Sequence, residues 1–560
     1  MAVSRPSPMK TPVSAATNVQ RLTLLAECAG LCLLLTGCSL SIGSNNICTT
    51  QTVVSDGKTA GSANFTVSAP GADFTIYPGQ TTTVPVTVSG SGNGPVTLTV
   101  TGLPSGVTVQ PVSAMVGSTA NLTFVSTPAL AAECFRGTSL VYSAYSAVAI
   151  QATGSGGTTA LGYGMDVTLE NPAFTPAKTD LPTLTIVTDG GAEVASKDDY
   201  VTGTMSIADP RSSKNAYTGT MSIKGHGNTT WQMPKKPYRL KLDSKSKLLG
   251  MNSEKNWILL ANYDDKTMLR DAVASYVSNI TGVAWAPASA WVELTMNGQY
   301  MGVYELIEKI DINSSRIDIP DSDDSTDPTK DGYLEEIDHW QADEFHWLTP
   351  HGLPVGSADP DPPTAAQEAY IQPLVNTAEA SFYSPAASDA TTGWRSTWTE
   401  DSVVGWFITN ELMGTHDANG QSTYFYKDAG VSPFVMGPVW DVDISSGNDN
   451  YGAIVDPNVP WVSTQHAWFA ALITNDPTFV TAVKARWAAM RSQVGGVPAY
   501  IDAEATTLTQ GASNNYQRWP TLHQKVWPNP EAAGSFPGEI SYFKTWMTAR
   551  IAYMDKTYGQ

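Results

Sequence analysis

Cysteine is scarce in this chain, charge is thin, and basic residues are the minority. Five cysteines in 560 residues are too few for a small disulfide-dense scaffold. Charged residues make up only 15%, and Asp plus Glu outnumber Lys plus Arg by 52 to 32, for a formal charge of −20. A field of that sign repels phosphate backbones and argues against a nucleic-acid partner. There is no H-E-x-x-H, no G-x-S-x-G with a triad in order and no Walker A loop, which removes three common hydrolase and NTPase readings. Past residue 35 nothing is apolar enough to span a membrane. What is present is globular: 42% hydrophobic and 9% aromatic residues can fill several cores, and the length suggests two to four domains.

The first residues set the compartment. Arg5, Lys10 and Arg21 precede an apolar run over residues 22–35, short for a bilayer span but suited to a signal-peptide core. The run ends in Leu35-Thr36-Gly37-Cys38, which resembles the bacterial lipobox. Residues 1–37 are therefore expected to be removed and Cys38 lipidated. The alternatives are an ordinary signal peptide or an uncleaved anchor. The expectation is an extracytoplasmic protein, in the periplasm or at the cell surface, touching a bacterial membrane through its lipid anchor only. Cys48 and Cys134 then remain. In an oxidising compartment they can pair, closing a loop worth roughly 4 kcal/mol in the chain-entropy model; two unrelated buried thiols is the other reading.

Residues 38–62 are small and polar and read as a tether. Over residues 63–170 short alternating strands recur, as in Thr82-Thr83-Val84-Pro85-Val86-Thr87-Val88 and Val96-Thr97-Leu98-Thr99-Val100. Gly/Pro punctuation and the lack of a helical period predict an antiparallel β-sandwich, similar to immunoglobulin-like modules. With no titratable cluster visible in it, spacer or adhesive module is the default. Residues 171–180 read as a linker, and 181–560 as an α+β domain with a sheet-rich front and a helical back. In that domain Thr267 is expected to cap a helix that Gly282 ends. Asn297-Gly298 marks a two-residue hairpin, and helices are expected over 401–413, 477–491 and 540–558.

Two acidic clusters carry candidate chemistry: Thr415-His416-Asp417, and Trp440-Asp441-Val442-Asp443 about 24 residues later. Phosphoryl transfer needs a carboxylate to receive the attacking hydroxyl's proton and acidic ligands for a divalent cation. Asp441-Val442-Asp443 fails as an EF-hand, because Ser446 and Gly452 stand where Gly and Glu are required. The acidic loop over 321–331 reads as a solvated loop. Along the strand after Lys235, alternation puts Arg239 and Lys241 on one face, as phosphate contacts or as a plain exposed edge.

Lys224-Gly225-His226-Gly227-Asn228-Thr229, then Lys235-Lys236-Pro237-Tyr238-Arg239-Leu240-Lys241, Leu269-Arg270-Asp271, Glu308-Lys309-Ile310 and the two acidic clusters together resemble the CotH kinase family of atypical, protein-kinase-like phosphotransferases. The resemblance implies a kinase-like fold over about 181–557, with ATP as co-substrate and Mg²⁺ or Mn²⁺ as cofactor. It makes Asp417 the general base and Asp441 and Asp443 the metal ligands, with Asp441 the first choice. Lys236, Arg239 and Lys241 become nucleotide contacts, and a secreted or surface protein the acceptor. The chain departs from the family pattern at three points. His226 stands where many relatives have Arg. Ser422, five residues after Asp417, replaces a metal-binding Asn. Gly225 and Gly227 are only a loose echo of a glycine-rich loop. These departures leave open a catalytically silent kinase-like surface binding or adhesion protein, and more weakly a carbohydrate-associated binding role.

Overall fold

The computed structural model describes residues 59–559 apart from 63, 71–72, 133, 137–138, 322–325, 340–344 and 451. The signal segment, Cys38, Cys48 and the side chain of Cys134 lie outside the described residues.

The N-terminal module is two five-stranded sheets and a two-stranded one, Cys134–Arg136 with Ser139–Val141. Its strands are dictated by period-two burial: Thr81–Gly90 buries Val84, Val86 and Val88, and Thr119–Ser126 buries Leu122 and Phe124. Pairing is antiparallel except where Phe74–Ile76 runs parallel to Gly157–Thr168. There Asp73 accepts the Gly164 N–H, and together with burial it raises the Asp166 carboxyl, a small titratable cluster that the sequence reading did not find.

The module is not a free spacer. Its Leu130 and Ala132 share one apolar cluster with Met233, Tyr263, Trp519 and Val526 of the C-terminal domain. Tyr142 meets Tyr263 edge-on at 5.8 Å, Gln524 donates to the Leu130 carbonyl at 2.8 Å, and Arg518 pairs with Glu170. The expected linker is laced down as well, through Ala177 N–H to Asn514 and Thr179 to Glu293.

The C-terminal domain opens with a closed seven-stranded barrel. Its strands are β1 (Thr183–Thr188), β2 (Val201–Ala208), β3 (Tyr217–Gly225), β4 (Tyr238–Lys247), β5 (Ser253–Leu260), β6 (Ser289–Met296) and β7 (Gln299–Glu308), in the order β1-β2-β3-β4-β5-β7-β6. A parallel β1/β6 pair closes the ring. Alternate residues such as Ile186, Met205, Ile223, Leu240, Trp257 and Leu294 fill the interior. Asn297 and Gly298 both take positive φ at the β6–β7 turn, as the hairpin signal requires.

Helix α1 (Arg270–Thr281) interrupts the barrel between β5 and β6. It starts three residues after Thr267, and Asp265, not Thr267 alone, takes the Leu269 and Arg270 N–H groups. Gly282 ends it in the left-handed conformation, as expected. A second sheet follows, of β8 (Tyr333–Ile337), β9 (His346–Leu348), β10 (Pro354–Asp359), β11 (Thr423–Lys427) and β12 (Phe434–Met436), in the order β9-β10-β8-β11-β12. Around it pack α2 (Ala365–Tyr383), α3 (Glu400–Met413), α4 (Val462–Gln465), α5 (Ala467–Asn475), α6 (Pro477–Val494), α7 (Val497–Arg518) and α8 (Phe536–Tyr558). Their apolar faces form the largest core, which includes Trp394, Trp398, Trp406, Trp468 and Trp487. Most of the tryptophans are core: among the described residues, ten of the chain's sixteen are buried.

Candidate active site

A cleft of about 690 Å³ lies between the barrel and the helical half. One wall is the β3–β4 hairpin. Lys224 and Arg239 are direct partners across that antiparallel pair, and both line the cleft with His226, Gly227 and Asn228. Like charges directly opposite repel, so an anion between them relieves the strain. Gly225 is required here: a Cβ would come within 2.6 Å of the Trp231 ring. Lys197 donates to Asn228 at 3.0 Å, tying a further cation to the hairpin loop. Burial, then Arg239, Lys309, Lys197 and Lys224, push the His226 imidazole down to about 3. His226 is therefore neutral.

The facing wall is acidic. Helix α3 stops at Gly414 in the left-handed conformation, and the chain turns through His416 and Asp417 into β11. After β12 it returns through Asp441, Val442 and Asp443. Backbone bonds from His416 N to Ile444 O (2.9 Å) and from Ser446 N to Met413 O (2.8 Å) stitch the two segments together. Asp264, in the loop after β5, and Asp271, in the first turn of α1, complete the wall. The Val442 N–H donates to Asp271 at 3.1 Å. Asn529 and Asn448 both donate to the Asp264 carbonyl.

Among the described residues eight carboxyls line this cleft, and the five on the acidic wall, Asp264, Asp271, Asp417, Asp441 and Asp443, are each pushed up. Asp417 rises to about 7 through burial, Asp441, Asp338 and Asp449, with His416 opposing. Asp264 rises to about 6 through burial, Asp265 and Asp441, eased by Asp443. Asp443 is raised well above the carboxylate range by burial, Asp264, Asp441 and Asp271, and Asp271 by burial and Glu305. For Asp441 the causes are burial and Asp338, against a 3.1 Å bond from Ser422. Asp441 itself stands exposed at the cleft mouth, with the walls enclosing the carboxyls behind it.

The structure brings Asp417, Asp441, Asp443 and Arg239 together in this cleft. It does not bring Lys236 or Lys241 there. Lys236 donates to the Trp231 carbonyl at 2.6 Å and sits over that ring, while Lys241 is exposed on the strand beyond the cleft lining. Sequence reasoning missed four residues. Lys224 and Asp271 stood inside motifs it quoted, while Asp264 and Lys197 had no signal.

The donor set fits a divalent cation held partly by phosphates. All candidate ligands are carboxylate oxygens, the choice of Mg²⁺, which takes one or two carboxylates and completes its shell with water and substrate phosphate. Both Asp264 side-chain oxygens are buried and receive no hydrogen bond from an N–H of another residue. The neighbouring Asp443 can bond one of them only when a proton lies between the two. Among the described residues no three side chains form a ready metal centre, so the protein alone does not complete a shell.

No curated protein matches the chain. Among solved structures it is similar to a protein of unknown function from Porphyromonas gingivalis W83, at 12% identity and TM-score 0.15, covering 41% of this chain and 91% of that one. It is also similar to surface layer protein SbsC, domains 4–9, at 13% identity and TM-score 0.14, covering 36% of this chain and 29% of that one. At those scores neither bears on fold or function. The family model described as CotH kinase protein matches residues 223–554, a span that runs from the strand carrying Lys224 to the last helix and holds both acidic segments. More than half of the chain is covered, and the protein belongs to the CotH kinase family.

Proposed function

We propose that this chain is an extracytoplasmic protein kinase that transfers the γ-phosphate of a metal–ATP complex to a hydroxyl of a secreted or surface protein, itself included. The observation that carries the reading is one cleft with a cationic hairpin on one side and five proton-hungry carboxyls on the other. Lys224 and Arg239, with Lys197 behind them, would hold the phosphates. Asp441 and Asp443, with Asp264 at their side, would hold Mg²⁺ or Mn²⁺, which supplies charge neutralisation for the transferred group. Asp417 would receive the acceptor hydroxyl's proton as its oxygen bonds to the γ-phosphorus and the bond to the ADP oxygen breaks. A carboxyl pushed up to about 7 is well matched to that task near neutral pH. Ser422 gives its hydroxyl to Asp441, which favours one tightly held metal over two. A lipid anchor at Cys38 would keep the enzyme at the membrane, with the sandwich, read as immunoglobulin-like, between anchor and cleft. Incubation with γ-labelled ATP and Mg²⁺ or Mn²⁺ tests the proposal: label on protein supports it, and no label under any of these conditions sinks it.

Metal binding should depend on pH with a definite sign. Asp264 and Asp417 titrate near 6 and 7 in the fold, against an ordinary value of 3.8. The stability they contribute is therefore full below about pH 4 and is lost as pH rises through 6 and 7. A divalent cation takes the place of the Asp264 proton, and its charge favours the ionised form of Asp417 in the same cleft. Millimolar Mg²⁺ should raise the melting temperature little at pH 5 and most near pH 8, by mass action on the folded state. A metal shift that is flat with pH contradicts this.

A further inference from the structure

A second cleft, of about 440 Å³, opens on the far side of α1 between that helix, α7 and the rim of the barrel. Its walls include Tyr276, Trp291, Tyr500 and Glu504. Tyr276 and Tyr500 stack at 4.1 Å. Arg211, at the rim, is already paired with Asp209 at 3.0 Å. Just behind the wall is Glu305, 1% exposed, whose Oε1 accepts from Ser289 at 2.6 Å and whose Oε2 accepts from Asn262 at 3.2 Å. Ser289 lines this second cleft and Asn262 lines the catalytic one. Trp291 also donates to the Met268 carbonyl at 2.9 Å, just ahead of α1. On α1, Asp271 faces the catalytic cleft while its neighbour Ala272 lines the second.

We propose that this second cleft binds a small organic cation, and that its occupancy reaches the metal end of the catalytic cleft through the Ser289–Glu305–Asn262 relay. Aromatic walls with a carboxylate among them attract an ammonium group. They suit a hydrated divalent metal poorly, since that requires several oxygen ligands at once. A neutral sugar would leave the field of Glu504 and Glu305 unused. The relay gives the second site a physical route: a ligand that shifts Ser289 or Trp291 alters the bond that orients Asn262 and the turn that starts α1. The coupling half rests on the reading of the catalytic cleft as a metal–nucleotide site; the binding half does not.

Calorimetry on the purified chain with choline and with its uncharged isostere, 3,3-dimethyl-1-butanol, tests the site. Choline should bind at least about tenfold more tightly than the isostere, and Glu504→Gln should remove that preference while the melting temperature holds. Equal binding of the two probes, or a preference that survives Glu504→Gln, overturns the site. Mn²⁺ affinity, read by electron paramagnetic resonance, should change about fivefold or more when choline saturates the chain. Ser289→Ala should keep choline binding and lose that change. Mn²⁺ affinity indifferent to choline overturns the coupling. Absence of any Mn²⁺ binding overturns the catalytic-cleft reading together with the coupling, and leaves the choline comparison to decide the site.

Discussion

Asp417→Asn will leave the chain folded and able to bind metal and nucleotide, and will slow phosphoryl transfer by about 10²–10⁴-fold. The amide keeps the size of the carboxyl but cannot take the acceptor's proton. It also removes a group that burial, Asp441 and Asp338 push up to about 7, so the variant should melt at or above the temperature of the parent. Labelling with γ-labelled ATP, read beside a melting curve, separates this from loss by unfolding, which would lower both together. Activity of the parent should fall on the acid side as Asp417 gains its proton. With metal kept saturating at every pH, the residual activity of the variant should lack that limb.

Asp265→Ala will be among the most destabilising single changes in the domain, at about 3–5 kcal/mol. Its carboxylate is fully buried and pairs with the buried Arg270. It also accepts from the Thr267, Leu269 and Arg270 N–H groups and from the Thr267 hydroxyl. Arg270 in turn donates to the Ser445 carbonyl at 3.0 Å, two residues beyond Asp443. Removing Asp265 strands a buried guanidinium, uncaps α1 and loosens the turn after Asp443. The melting temperature should drop by roughly 10 °C or more, and metal affinity should fall with it. A variant that melts within a degree of the parent would show that Asp265 is dispensable.

The parts of this arrangement that were legible in the sequence are those governed by local chemistry. Period-two alternation gave the strands around Val84 and Leu98, and Asn297-Gly298 gave the β6–β7 hairpin. Gly282 gave the end of α1, and the order of Asp417 before Asp441 and Asp443 gave the acidic wall. What stayed hidden depends on long-range closure. Nothing local says that β1 runs parallel to β6 and closes a barrel. Alternation placed Arg239 and Lys241 on one face of β4, but the strand runs out from under the cleft, so only Arg239 lies in its wall. Lys224 became a candidate only when the register set it opposite Arg239. Asp264 and Asp271 sit more than 140 residues ahead of Asp417, and no spacing rule joins them. The docking of the sandwich through Leu130, Tyr142 and Gln524 was equally unreadable, because ordinary apolar and amide side chains carry no signal of which domain they will meet.

Calorimetric titration of the purified chain with a non-hydrolysable ATP analogue, with and without Mg²⁺ or Mn²⁺, tests the central claim most directly. Binding should require the metal, vanish in Asp441→Ala, weaken about tenfold in Lys224→Ala through loss of a charge-assisted phosphate contact, and persist in Lys241→Ala. Nucleotide that binds equally well without metal and in Asp441→Ala, or fails to bind at all, would contradict the account.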